Sequence, residues 1–255
     1  AGADGARVLG SLATTSKDGS LKITSVTRGA RRGDAAAADG DAPPALALRR
    51  HCSAGDLSLS SVALTADARF AATGSWDNSV LLYSVESACV VTTIDDAHAA
   101  LVSALDLAHG GGAGARDASL CTGAWDATVK LWRLAPSGLV PHPLLELYEH
   151  ESPVTSLRVA ADGNVVIAGA EDGRVVLWDV RAGGAPVASF SLGEPVTSLC
   201  WSDGEAASAA SAVLVASSAG TVAQFAPDGR RVAAVSIASE ARCVCADGPL
   251  VIAGA

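Results

Sequence analysis

The string Thr122-Gly123-Ala124-Trp125-Asp126-Ala127-Thr128-Val129-Lys130-Leu131-Trp132 decides the fold, because altered copies of it return along the chain. Thr14-Thr15-Ser16-Lys17-Asp18, Thr73-Gly74-Ser75-Trp76-Asp77 and Ala168-Gly169-Ala170-Glu171-Asp172 fill the same frame, and Thr24, Tyr83, Trp132 and Trp178 each stand six residues beyond the Asp. A weaker copy covers 215–225, and another begins at 251–255. Asp18, Asp77, Asp126 and Asp172 are 59, 49 and 46 residues apart, in or just above the range for units of four strands repeated around an axis. Such a repeat places function on a surface.

Within one unit, Val154-Thr155-Ser156-Leu157-Arg158-Val159 reads as a strand, Asp162-Gly163 as a hairpin turn and 165–169 as the next strand. The turn at Glu171-Asp172-Gly173 then leads into Val175-Val176-Leu177-Trp178, whose nearly unbroken apolar character suits a strand covered on both faces. One unit earlier, Asp126 closes the equivalent turn. A turn carboxylate accepts hydrogen bonds from backbone amides and from a histidine, and a buried indole N–H needs an acceptor. His98, Thr122, Asp126 and Trp132 are therefore expected to form a polar brace with a structural role.

These positions resemble the signature of WD-repeat β-propellers, and the resemblance runs the length of the chain. It implies a His, a Ser or Thr, an Asp and a Trp joined by hydrogen bonds in each complete blade. His150, Asp172 and Trp178 match, with Ala168 where the hydroxyl is expected. Asp18 marks the first unit, and the unit of Thr73, Asp77 and Tyr83 has Gly55-Asp56 in place of a Gly-His pair. In the fifth, Leu192, Ala219 and Phe225 replace three members, so such blades are expected to be less rigid by roughly 1 kcal/mol per missing bond. The expected fold is all-β, an incomplete WD-repeat propeller of about five of roughly seven blades. The blades fall near 1–50, 51–97, 98–149, 150–191 and 192–239, with the start of another at 240–255. Open sheet edges and marginal stability in isolation follow from that expectation.

Ser75-Trp76-Asp77-Asn78-Ser79-Val80-Leu81-Leu82-Tyr83-Ser84, the 122–132 string one blade later and Leu145-Glu146-Leu147-Tyr148-Glu149-His150 resemble, in that order, the C-terminal propeller of BEACH-domain proteins. Among these the string is most similar to the type associated with neutral sphingomyelinase activation. This resemblance implies a cytoplasmic, non-catalytic scaffold in membrane trafficking or receptor signalling, peripheral to membranes only through domains that lie outside these residues.

Composition sets further bounds. The 255 residues contain no run of 18 apolar residues and no charged-then-apolar leader, so the sequence predicts neither a membrane-spanning helix nor a signal peptide. The lack of any Met points to a fragment. A net charge of −9 argues against a nucleic-acid surface, which Lys and Arg would dominate. Residues 28–50, rich in Ala, Gly, Pro and charge, read as an inserted loop. His109-Gly110-Gly111-Gly112-Ala113-Gly114 resembles an esterase oxyanion-hole string, but no Gly-x-Ser-x-Gly elbow accompanies it. The six cysteines lack metal spacing, Cys243 and Cys245 fall on one face of a strand too close for an ordinary disulfide, and all read as small buried hydrophobes. No catalytic residue, cofactor or metal ligand is expected.

Function is expected instead at the residue before each turn Asp, which in the propellers this chain resembles projects from one rim of the disc. Here that residue is Lys17, Trp76, Trp125 or Glu171. Two indoles on adjacent units, in a chain with 4% aromatic residues, are candidates for a protein-docking surface. A second reading takes Trp178-Asp179-Val180-Arg181 as similar to the box by which some WD-repeat proteins dock on cullin-type ubiquitin ligase adaptors, with Arg181 pairing to acidic groups.

Overall fold

The structure is a computed structural model that describes residues 7–28, 44–53, 58–65, 67–108, 118–135, 138–160, 162–202, 211–237, 239–247 and 250–254. Twenty-one strands in these residues make six antiparallel sheets, and no described residue is helical. The first sheet is β1 (Arg7–Thr15), β2 (Ser20–Arg28) and β3 (Pro44–Ser53). The second is β4 (Leu59–Leu64), β5 (Phe70–Ser75), β6 (Val80–Ser84) and β7 (Cys89–Ile94), and the third is β8 (Val102–Ala108), β9 (Ala118–Ala124), β10 (Val129–Ala135) and β11 (Gly138–Leu147). The fourth runs β12 (Val154–Val159), β13 (Val165–Ala170), β14 (Arg174–Asp179) and β15 (Ala185–Ser191). The fifth is β16 (Val196–Trp201), β17 (Val213–Ser217), β18 (Thr221–Phe225) and β19 (Arg231–Ser236), followed by β20 (Cys243–Asp247) and β21 (Leu250–Gly254). In every sheet the strands lie in chain order, as expected of consecutive hairpins.

Burial shows how the sheets are stacked. β13 is buried at all six positions, and Val175 to Trp178 of β14 are buried on both faces. β19 is exposed throughout. Leading strands touch one another from sheet to sheet, β4 to β8 to β12 to β16 to β20, so they line the axis and the fourth strands lie outside. Separate apolar clusters fill the spaces between sheets: Leu82, Val102, Leu105 and Trp132 between the second and third, Leu131, Leu157 and Trp178 between the third and fourth. This is the architecture of a β-propeller built from WD repeats.

Contact across the axis-side boundary is made by a repeated device. The second residue of each leading strand, Ser60, Ser103, Thr155 or Thr197, lies where the strand register shifts by a bulge. Its hydroxyl points at the start of the next sheet: Ser60 to Val102 O, Ser103 to Val154 O and Thr155 to Val196 O at 2.6 Å, each the first residue of a leading strand, and Thr197 to Ala241 O, two residues before β20. In the first three the same hydroxyl also faces a glycine carbonyl of its own sheet at 3.0–3.1 Å, so one proton is shared between two acceptors. Those glycines are themselves required by the neighbour. A Cβ on Gly74, Gly123 or Gly169 would stand 2.6 Å from Cγ1 of Val102, Val154 or Val196. At the fifth-to-sixth boundary the sizes change together: Ala216 replaces the glycine and Ala241 the valine, both fully buried in one cluster.

The expected insertion at 28–50 is corrected on its C-terminal side, because 44–53 is strand β3, in register with β2 from Ser20↔Ser53 to Arg28↔Pro44. Its short apolar run, Ala45 to Leu48, follows directly on the Ala- and Pro-rich stretch that set the loop expectation. The Gly55-Asp56 pair and the His109–Gly114 string lie outside the described residues. Cysteine burial also differs from expectation. Cys121 and Cys200 are buried, and burial pushes the Cys121 thiol far up, with Asp106 adding to the effect, whereas Cys89, Cys243 and Cys245 are exposed.

Candidate functional site

The turn 125–128 joins β9 to β10, and its geometry follows from local chemistry. Asp126 accepts from the Thr128 amide at 2.9 Å and the Thr128 hydroxyl at 2.6 Å through Oδ1, and from the Ala99 amide at 2.8 Å through Oδ2. His98 Nδ1 lies 3.2 Å from Asp126 Oδ2 and 2.9 Å from Thr128 Oγ1. With Nδ1–H donating there, Nε2 is left as an acceptor for the Thr122 hydroxyl at 2.8 Å. Thr122 Oγ1 in turn accepts from Trp132 Nε1 at 2.9 Å. Burial alone would raise the pKa of Asp126, but the bonds from His98, Thr128 and Ala99 outweigh it and hold the carboxyl well below its usual range. His98, Thr122, Asp126 and Trp132 thus form one continuous chain.

The other units keep the turn and lose parts of the chain. Ser20 N–H donates to Asp18 and Ser79 N–H to Asp77, at 2.9 and 3.0 Å. The residue after each turn Asp, or its equivalent, has left-handed backbone: Gly19, Asn78, Ala127, Gly173 and Gly220, with φ between 64° and 86°. In the fourth sheet Asp172 accepts from the Arg174 amide at 2.9 Å, but Ala168 offers no hydroxyl. Both ring nitrogens of His150 and Nε1 of Trp178 are buried and meet no hydrogen-bond partner among the described residues, the two rings meeting edge to face at 5.5 Å. Burial pushes the His150 pKa down to about 4, and Arg174 adds to this against the opposing pull of Asp172. In the fifth sheet Ser217 substitutes for the missing Asp: its hydroxyl donates to Glu194 at 2.5 Å and accepts the Thr221 amide at 3.1 Å.

The sequence reading missed Thr128, although an Asp followed two residues later by Ser or Thr is visible at Asp18, Asp77 and Asp126. It also missed the hydroxyls of Ser60, Ser103, Thr155 and Thr197, whose acceptors lie more than 40 residues away.

The rim residues are fixed by their backbones and free at their side chains. Trp76 N–H donates to Ser58 O, Trp125 N–H to Leu101 O and Glu171 N–H to Pro153 O, at 3.0–3.1 Å, and Lys17 O accepts from the Ser58 hydroxyl at 2.9 Å. Trp76 is 53% and Trp125 55% exposed, while Trp132 and Trp178 are buried. Lys17 and Glu171 are exposed in the equivalent turns. Arg181 is exposed on the opposite face, where its amide and that of Ala182 donate to Asp179. Among the described residues no group of His, Cys, Asp and Glu is placed to hold a metal ion.

Comparison with known proteins agrees with this geometry. The family described as "WD domain, G-beta repeat" matches residues 45–84, 88–133 and 141–179, so the chain carries WD repeats, which build scaffolds for protein interaction. It is similar to the ribosome biogenesis protein ytm1 of Aspergillus oryzae, 27% identical over 143 residues, 53% of this chain and 28% of that protein. It is also similar to the small ribosomal subunit protein RACK1 of Caenorhabditis elegans, 32% identical over 167 residues and 49% of each chain. The small ribosomal subunit protein RACK1y of Oryza sativa subsp. japonica is 31% identical over 84 residues, 33% of this chain and 24% of that protein. The chain thus spans about a quarter to a half of the length of these curated relatives.

Proposed function

We propose that this chain is a non-catalytic docking scaffold whose partner-binding face is formed by Trp76 and Trp125, with Lys17 and Glu171 in the flanking turns. The observation that carries the reading is the exposure of two indoles at equivalent turns of adjacent sheets, where the backbone is pinned and the side chain is left to solvent. Tryptophan in such a setting combines a large apolar area with few rotatable bonds, which is why it recurs among interface hot spots. Replacing both by Ala is expected to leave the melting temperature unchanged and to weaken partner binding by about 2 kcal/mol or more. Loss of folding in that variant, or unchanged binding, would move the docking surface elsewhere.

Two settings for the scaffold compete. The strings around Trp76, Trp125 and Tyr148 support a BEACH-type scaffold in trafficking or receptor signalling. The names of the relatives support a ribosome-associated role instead. Affinity purification of the full-length protein separates them: ribosomal or pre-ribosomal particles favour the second, and vesicle-associated proteins without particles favour the first. Recovery of ubiquitin ligase adaptors, abolished by Arg181→Ala, would support docking through the 178–181 box.

A further inference from the structure

The connection from β7 to β8 is strung between the two tryptophan turns. His98 N–H donates to Asn78 O at 3.3 Å in the Trp76 turn, and Leu101 O accepts the Trp125 amide at 3.1 Å. The Ala99 amide donates to Asp126 Oδ2 at 2.8 Å and Lys130 Nζ donates to Ala97 O at 2.9 Å, so the segment is held from residue 97 to residue 101, directly after the two aspartates. Asp95 and Asp96 lie on it, both exposed, and no Lys or Arg among the described residues pairs with either. Glu149 and Glu151 follow on the next connection of the same face, where Glu149 meets Arg174 at 3.9 Å and Glu151 meets no Lys or Arg among the described residues.

We propose that the partner seated on Trp76 and Trp125 is a basic polypeptide segment, its Lys or Arg side chains lying against the indoles and pairing with Asp95 and Asp96. The inference rests on the docking-face reading above and adds the chemistry of the occupant. An exposed indole face attracts a cation through its quadrupole, and an unpaired carboxylate beside it supplies the counter-charge. The same charge repels phosphate, so RNA is disfavoured on this face.

The test measures fluorescence anisotropy of labelled Lys-Ala, Arg-Ala and Glu-Ala repeat peptides and an oligouridylate, each with the full-length protein. A Lys or Arg peptide is expected to bind, with affinity falling about tenfold or more between about 50 and about 300 mM salt. Asp95→Asn with Asp96→Asn is expected to weaken that binding about tenfold. Asp162→Asn, on the opposite face, is expected to change nothing. Equal binding of the Glu-Ala peptide or of oligouridylate, or no binding of either basic peptide, overturns the proposal. If the Asn variant binds normally while Trp76→Ala with Trp125→Ala does not, the basic-partner proposal falls and the docking face stands. If both variants bind as the wild type does, both readings fall.

Discussion

The third and fourth sheets differ at one equivalent place by a hydroxyl and the methyl beside it, Thr122 against Ala168. Around Thr122 every polar atom of the brace has a partner: indole to hydroxyl, hydroxyl to imidazole, imidazole to carboxylate. Around Ala168 the equivalent histidine and tryptophan are buried with three nitrogens unpaired among the described residues, and Asp172 stays at the surface. The fourth sheet still packs, with Val166, Ala168, Val176 and Trp178 in the cluster shared with the third. The fourth sheet thus keeps both its apolar stacking and its turn without the full brace, which in the third sheet pairs the buried polar atoms.

That comparison can be broken most severely at Thr122. Thr122→Val keeps the shape and removes the hydroxyl, leaving His98 Nε2 and Trp132 Nε1 in the state that His150 and Trp178 already occupy. The expected loss is roughly 1–3 kcal/mol for each orphaned group, read from the urea midpoint. A loss well below this would mean that buried water satisfies both.

The fourth sheet has a pH dependence of its own. With the folded His150 pKa at about 4 against an ordinary 6.5, the unfolded chain binds the proton first as pH falls. His150 therefore contributes stability that is present above pH 6.5, declines between pH 6.5 and 4, and is gone below 4. The amplitude is on the order of 3 kcal/mol at most. Unfolding midpoints of His150→Phe across that range are expected to lose this slope.

A boundary between sheets offers a smaller and reversible disruption. Ala241→Val recreates the valine of the other boundaries opposite Ala216, whose methyl occupies the space that glycine leaves elsewhere. Overpacking is expected to cost about 1–3 kcal/mol, and Ala216→Gly in the same chain is expected to recover most of it. Additive effects of the two changes would show that the paired substitution is coincidental.

The smallest effect is a repair. Ala168→Ser supplies an acceptor for Trp178 Nε1 and a donor for His150 Nε2, and is expected to stabilise by about 1 kcal/mol. A hydrogen bond to neutral imidazole also moves the His150 pKa further down, which an NMR titration reads directly. An upward shift would show that the new hydroxyl faces elsewhere.

The sequence by itself determined the repeat frame, the turn carboxylates, the doubly covered strands and the brace around Asp126. Each of these is written in local spacing: the Asp and Trp six residues apart and the unbroken apolar run of 175–178. The projection of Trp76 and Trp125 was implied by the resemblance to WD-repeat propellers, and both are exposed in the structure. Tertiary structure alone decided the contacts across blades. The hydroxyl of Ser103 reaches a carbonyl 51 residues away, Gly169 is required by Val196, and Ala216 is matched to Ala241. None of these leaves a local periodicity, because a leading-strand residue reads the same whether it faces the axis, its own sheet or the next one. The unpaired nitrogens of His150 and Trp178 belong with them. A missing hydroxyl is visible in sequence, but whether its former partners stay buried depends on how tightly the neighbouring blades close over them.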